Sequence, residues 1–106
     1  MPWVSLVDFS QINLQINQSK SFIVFKHSTR CSISTVAKNR LECGLDIKDI
    51  TLFYLDILSY RTLSNELAIF FKVTHESPQI LIIKDGICIY NASHNGININ
   101  DIKTIV

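Results

Sequence analysis

Apolar residues along this chain fall into short unbroken runs separated by stretches of helical period, and that rhythm sets the order of elements. Phe22 to Lys26 opens with four apolar residues and no alternation, the pattern of a strand buried on both faces inside a sheet. Gln79 to Ile83 reads the same way. Thr51 to Ile57, rich in β-branched and aromatic residues, predicts a further strand. Asp85-Gly86 is a two-residue hairpin signal that returns the chain through Ile87-Cys88-Ile89-Tyr90. Ile33, Val36, Ala37 and Leu41 repeat at i, i+3, i+4 and i+8, which predicts one buried helical stripe starting at Cys31 and capped by Gly44. A second helix is expected from about Tyr60 to Lys72, with Leu63, Leu67 and Phe70 or Phe71 inside. Asp8 or Ser10 caps a short first helix to about Gln18 with Ile12 and Ile16 on one face, and Asn98 to Ile105 forms the last. Met1 to Leu6, with Trp3, Val4 and Leu6, predicts an edge strand or an apolar clasp.

The order is therefore β-α-β-α-β-β-α. Strand, helix, strand demands a parallel crossover, whereas Asp85-Gly86 makes the last pair antiparallel. A mixed four-stranded α/β sheet, with helices on both faces and room for a short extra N-terminal strand, satisfies both conditions. That is the thioredoxin-like fold. Residues 1–106 read as one domain, because no repeat, linker or low-complexity run divides them.

Composition narrows the function. Apolar residues make up 47% and charged residues 18%, the balance of a folded chain. The formal net charge of +1, with scattered Lys and Arg, gives no basic stripe for nucleic acid. Apolar runs such as Ile80–Ile83 are far shorter than the roughly 20 residues of a membrane span. No basic segment followed by an apolar core opens the chain, so a cytoplasmic location is expected.

Chemistry concentrates at Cys31. It follows a central strand and a polar turn, His27-Ser28-Thr29-Arg30, and stands where a helix begins. Helix-start amides stabilise a thiolate, which is the nucleophile in thiol–disulfide exchange. The three cysteines include no Cys-x-x-Cys pair, and neither a disulfide framework nor a zinc site fits them. Cys43 and Cys88 read as small buried hydrophobes.

Phe25-Lys26-His27-Ser28-Thr29-Arg30-Cys31-Ser32-Ile33-Ser34 resembles the active segment of the YtxJ-type bacillithiol-system proteins, the monothiol bacilliredoxins. The similarity recurs at Trp3-Val4-Ser5-Leu6, Tyr54-Leu55-Asp56, Ser77-Pro78-Gln79 and Ala92-Ser93-His94-Asn95-Gly96-Ile97. It implies a reductase that removes bacillithiol from mixed disulfides on client proteins. Bacillithiol, a low-molecular-weight thiol, would serve as co-substrate, with no tightly bound cofactor and no metal. Where that family often has Thr-Cys-Pro-Ile-Ser, this chain has Arg30-Cys31-Ser32-Ile33-Ser34, so Ser32 contributes an amide that proline lacks.

In that frame Cys31 is the nucleophile, with the amides of Ile33 and Ser34 directed at its sulfur. Ser34 stands where a dithiol enzyme has its second cysteine; its hydroxyl can donate to a thiolate but forms no disulfide. Lys26 and Arg30 supply positive charge for the carboxylates of the small thiol, unless they are ordinary solvated charges. The resemblance implies a cis Ser77–Pro78 bond facing the cysteine, with the Ser77 backbone pairing with substrate. His27 and Thr29 are candidates for tuning the site, and the turn at Asn95 and Gly96 for binding a carboxylate. Cys43 lies twelve residues along the same helix, about 18 Å from Cys31, beyond the reach of a disulfide. Cys88 stays open as a resolving thiol. Two other readings compete: an iron–sulfur carrier of the monothiol glutaredoxin type, and a non-catalytic adaptor on the same scaffold.

Overall fold

Six consecutive side chains, Phe22 to His27, are buried in the computed structural model, which describes residues 3–47 and 49–106. Met1 and Pro2, at the start of the expected edge strand or clasp, lie outside the described residues, as does Lys48. The elements are β1 (Val4–Ser5), α1 (Phe9–Asn17), β2 (Phe22–His27), α2 (Ser32–Gly44), β3 (Thr51–Asp56), α3 (Arg61–Phe71), β4 (Gln79–Lys84), β5 (Ile87–Ser93), a 3₁₀ turn (His94–Gly96) and α4 (Ile99–Ile105). They build a five-stranded sheet in the order β1-β3-β2-β4-β5. β2 runs parallel to β3 and antiparallel to β4, and β1 adds a fifth, parallel strand beside β3. The extra N-terminal strand is thus present.

Alternate residues of the central strands feed two separate cores. Phe22, Val24, Phe53, Leu55, Leu81 and Ile83 pack against Ile12 of α1 and Leu63, Leu67 and Phe71 of α3. Ile23, Phe25, Leu52, Ile80 and Ile82 pack against Ala37 and Leu41 of α2 and Ile102 of α4. Fully burying one such side chain is worth roughly 1.5–3 kcal/mol, so the unalternated run of β2 anchors both layers at once.

Local chemistry sets the boundaries. Asp8 caps α1 in a capping box with Gln11, and the Asn98 side chain accepts from Asp101 N–H at the start of α4. Asp85 (φ 53°) and Gly86 (φ 75°) both adopt the left-handed conformation required by a type I′ turn. β5 continues through Asn91, Ala92 and Ser93 beyond the expected strand, because β4 offers partners as far as Gln79.

Two expectations about α2 are corrected. Its buried residues are Ser34, Ala37 and Leu41, spaced i, i+3, i+7, whereas Ile33 and Val36 are 53% and 57% exposed. The inward face is rotated by about one residue, since Ser34 finds polar partners in the interior. Gly44 is not the C-cap, which is Leu45. A Cβ at position 44 would stand 2.6 Å from Ile99 Cδ1, so the glycine admits the close approach of α4. In α3, Phe71 is the buried member of its pair and Phe70 is exposed.

The rotated face predicts opposite outcomes at neighbouring positions. Leu41→Ala should cost about 2–5 kcal/mol in denaturant unfolding, and Val36→Ser no more than about 0.5 kcal/mol. Equal losses would contradict the observed face.

Candidate active site

The C-terminal end of β2, the start of β4 and the end of β5 lie side by side at one end of the strands, and the expected site residues sit on these ends or on the turns that leave them. The turn after β2 is short and tied down. Cys31 N–H donates to Ser28 O at 3.1 Å, and Thr35 N–H donates to Cys31 O at 3.1 Å to begin α2. Cys31 is therefore the N-cap, in extended conformation (φ −108°, ψ 117°), and half-exposed. Its sulfur makes no capping hydrogen bond, contrary to the expected contact with the amides of Ile33 and Ser34. What the helix supplies is its partial positive end and a fixed position.

Ser34 is wholly buried and works behind the cysteine. Its Oγ accepts from Ser28 N–H at 3.1 Å and lies 2.7 Å from His27 Nδ1. The expected donation to the Cys31 thiolate is replaced by these two bonds. They clamp the turn that carries Cys31 to the end of β2. His27 is itself gripped, its ring 5.8 Å from Phe25 and 5.4 Å from Tyr54 between centroids. Burial holds its pKa below the ordinary histidine value, with Lys38 acting in the same direction. His27 is thus a buried brace under the turn rather than a surface base.

Lys26 is corrected outright. Neighbours on a strand point to opposite faces, so Lys26 enters the α3 side while His27 enters the α2 side. Its ammonium donates to Ser64 O at 3.1 Å and lies 3.2 Å from His75 Nδ1, with no exposed surface. It therefore presents no charge to a ligand. Burial pushes its pKa down to about 8. His75 is lowered by burial and by the neighbouring Lys26 cation. Ser64 and His75, which complete this cluster, carried no sequence signal beyond being polar.

Arg30 and Thr29 are exposed in the turn before Cys31, leaving Arg30 as the cation of the original pair that faces solvent. The Ser77–Pro78 peptide bond is cis, and Pro78 is buried. Pro78 O accepts from His94 N–H at 3.0 Å, and Ser93 Oγ hydrogen-bonds Glu76, so the proline segment and the 3₁₀ turn are joined. Asn95 and Gly96 are exposed on that turn. Asn95 and His94 face Ile33, Val36 and Arg40 of α2 across a groove of about 170 Å³. Ile33 and Val36, expected in the core, line this groove instead, because the inward face of α2 is the i, i+3, i+7 set Ser34, Ala37 and Leu41.

Neither other cysteine can pair with Cys31. Cys43 is exposed one continuous helix away, about 18 Å along α2. Cys88 pairs with Ile83 and packs with the α1/α3 core, five residues or roughly 17 Å down β5 from the site. Its thiol is raised by burial and donates to Tyr90 O. No group of three or more His, Cys, Asp or Glu side chains suited to a metal occurs among the described residues. No helix among them is long and apolar enough to cross a membrane.

A half-exposed cysteine at the head of α2, on a sheet whose fourth strand follows a cis-proline, accords with a thiol oxidoreductase of the thioredoxin fold. Residues 5–102 match the family model described as monothiol bacilliredoxin BrxC, and the chain belongs to that family. Among solved structures it is similar to a thioredoxin-fold protein provisionally described as an oxidoreductase, at 30% identity and TM-score 0.85, over 96% of this chain and 91% of that one. It also resembles a mutant thioredoxin from Halobacterium salinarum (9% identity, TM-score 0.75, 98% and 87% covered). Mitochondrial thioredoxin 3 from Saccharomyces cerevisiae is similar too (15% identity, TM-score 0.73, 97% and 92% covered). The last two likenesses speak to the fold alone.

Two pH effects follow from the buried bases. The unfolded chain holds more protons than the folded one between the lowered pKa values of His27 and His75 and the ordinary value of about 6.5, so stability falls as pH drops below about 6.5. A chain carrying His27→Asn and His75→Asn should show a flatter acid limb in denaturation midpoints between neutral and acidic pH. An equally steep limb would contradict this. At the alkaline end, unfolded Lys26 releases its proton near about 10.4 and folded Lys26 near about 8, so folding gains stability as pH rises between them. The stability of the native chain relative to Lys26→Met should therefore increase across that window; a constant difference would refute it.

Proposed function

We propose that this chain removes bacillithiol from mixed disulfides on protein cysteines, with Cys31 as the nucleophile. The observation that carries the reading is a half-exposed Cys31 at the head of α2 whose i+3 neighbour is a buried serine, not a second thiol. Membership of the monothiol bacilliredoxin family supports the choice of small thiol.

The reaction is a pair of exchanges. The Cys31 thiolate attacks the bacillithiol sulfur of the mixed disulfide; a Cys31–bacillithiol bond forms and the client sulfur leaves as a thiolate, taking a proton from water. The thiolate of a second bacillithiol molecule then attacks the bacillithiol sulfur on Cys31. The two small thiols leave joined as their disulfide and Cys31 is free again. The clamp through Ser34 and His27 holds the attacking sulfur in place between the two steps. Arg30 and the exposed 3₁₀ turn at Asn95 and Gly96 would offer the carboxylates of the small thiol a cation and backbone amides. The Ser77 backbone, ahead of Pro78, is the edge to which an extended client segment would pair.

A bacillithiolated model protein incubated with the chain and free bacillithiol provides the test. Release of the client thiol should be lost in Cys31→Ser and retained in Cys43→Ser and Cys88→Ser. Mass spectrometry should find a bacillithiol adduct on Cys31 alone. Undiminished release by Cys31→Ser would refute the proposal.

A further inference from the structure

Residues 72–78 join α3 to β4 and carry the Ser77 backbone to the active-site end of the strands. The residues around Ser77 are all tied elsewhere. Thr74 O accepts from Gln79 Nε2 at 2.9 Å, Glu76 accepts from Ser93 Oγ, and Pro78 O accepts from His94 N–H at 3.0 Å. No backbone hydrogen bond among the described residues engages Ser77 itself. His75 is held from beneath. The wholly buried Lys26 Nζ lies 3.2 Å from His75 Nδ1 and donates to Ser64 O at 3.1 Å, and Ser64 Oγ stands 3.1 Å from the same ring nitrogen. An ammonium has only donors, so Nδ1 accepts and the ring proton sits on Nε2. Lys26 is the register partner of Gln79 across the β2–β4 ladder. The anchors of Thr74 and His75 therefore stand side by side on one face of the sheet.

We infer that Lys26 is a positioning residue for client binding: through His75 it holds the segment ahead of Pro78, so that an extended client meets a Ser77 backbone already in place. The inference rests on the reading of Ser77 as the client edge. An apolar side chain of similar length would fill the space between β2 and α3 without needing a partner. The donors of the ammonium do what such a side chain cannot, reaching a carbonyl of α3 and the imidazole of the loop at once. Lys26 is thus a strut between a packed helix and a segment that has no helix or strand of its own. Its neighbour His27 braces the Cys31 turn on the opposite face, so consecutive residues of β2 serve the two halves of the site. The strut acts on client affinity and leaves the sulfur alone. One backbone residue left to be ordered at binding lowers affinity by about tenfold. A small disulfide that makes no strand contact gains nothing from the strut.

Steady-state reduction of two disulfides by the chain, with excess small thiol as reductant, provides the test. One is an extended peptide disulfide, the other a small aryl disulfide, and neither depends on which small thiol the chain serves. Lys26→Met should raise KM for the peptide by about tenfold, with kcat and the aryl rate unchanged. His75→Ala, at a partly exposed loop position, should do the same. His75→Asn, whose amide oxygen can stand where Nδ1 stands, should restore the native KM. Amide exchange from Thr74 to Ser77 should quicken in Lys26→Met and His75→Ala and stay native in His75→Asn. An unchanged peptide KM in both Lys26→Met and His75→Ala would overturn the proposal. So would a parallel fall in the aryl rate, which marks general loosening of the fold. A native chain that reduces the aryl disulfide but never saturates with the peptide would remove the client edge at Ser77, and the role of the strut with it.

Discussion

Burial of β2 on both faces is the constraint on which everything else depends. A strand flanked by β3 and β4 and covered above and below must be apolar along its length, and this one is until its last two residues. Those two, Lys26 and His27, are the cost of ending a fully enclosed strand next to a reactive centre. Each is satisfied on its own face: Lys26 by Ser64 and His75, His27 by Ser34. The turn that follows inherits a rigid origin, and Cys31 is held at the surface by atoms that lie underneath it.

Thiol exchange asks for this division of labour. The attacking sulfur must be open to a bulky disulfide, and a sulfur exposed on a loose loop would pay in orientation for each encounter. Here the exposed atom belongs to an N-cap, and the ordering hydrogen bonds sit behind it in Ser34 and Ser28. Ser34 thus does more than fail to be a cysteine. It supplies the bond that fixes the turn.

Much of this was legible in the sequence. The unbroken apolar run of β2, the Asp85-Gly86 turn and the cysteine after a polar turn each carry a physical signature, and the α/β order followed from them. What stayed hidden was the choice of face. A continuously apolar strand has no alternation to show which way Lys26 points, so a buried ammonium looked like a surface cation. In α2, four apolar residues offered two overlapping stripes, and Ser34 was read as facing the Cys31 thiolate, because nothing local shows that its interior partner is His27, seven residues away in sequence. Gly44 imitated a helix stop while answering to Ile99, a residue from the other end of the chain. In each case the deciding contact was non-local.

The enclosure of Lys26 also limits how the molecule meets others. Ten basic and nine acidic side chains give the chain a formal excess of only +1, so long-range attraction or repulsion from net charge is weak. The ammonium sealed under α3 can form no direct ion pair with a client. A protein without an electrostatic funnel can approach acidic and basic clients alike, and must discriminate between them by what it touches within a few ångströms of the sulfur.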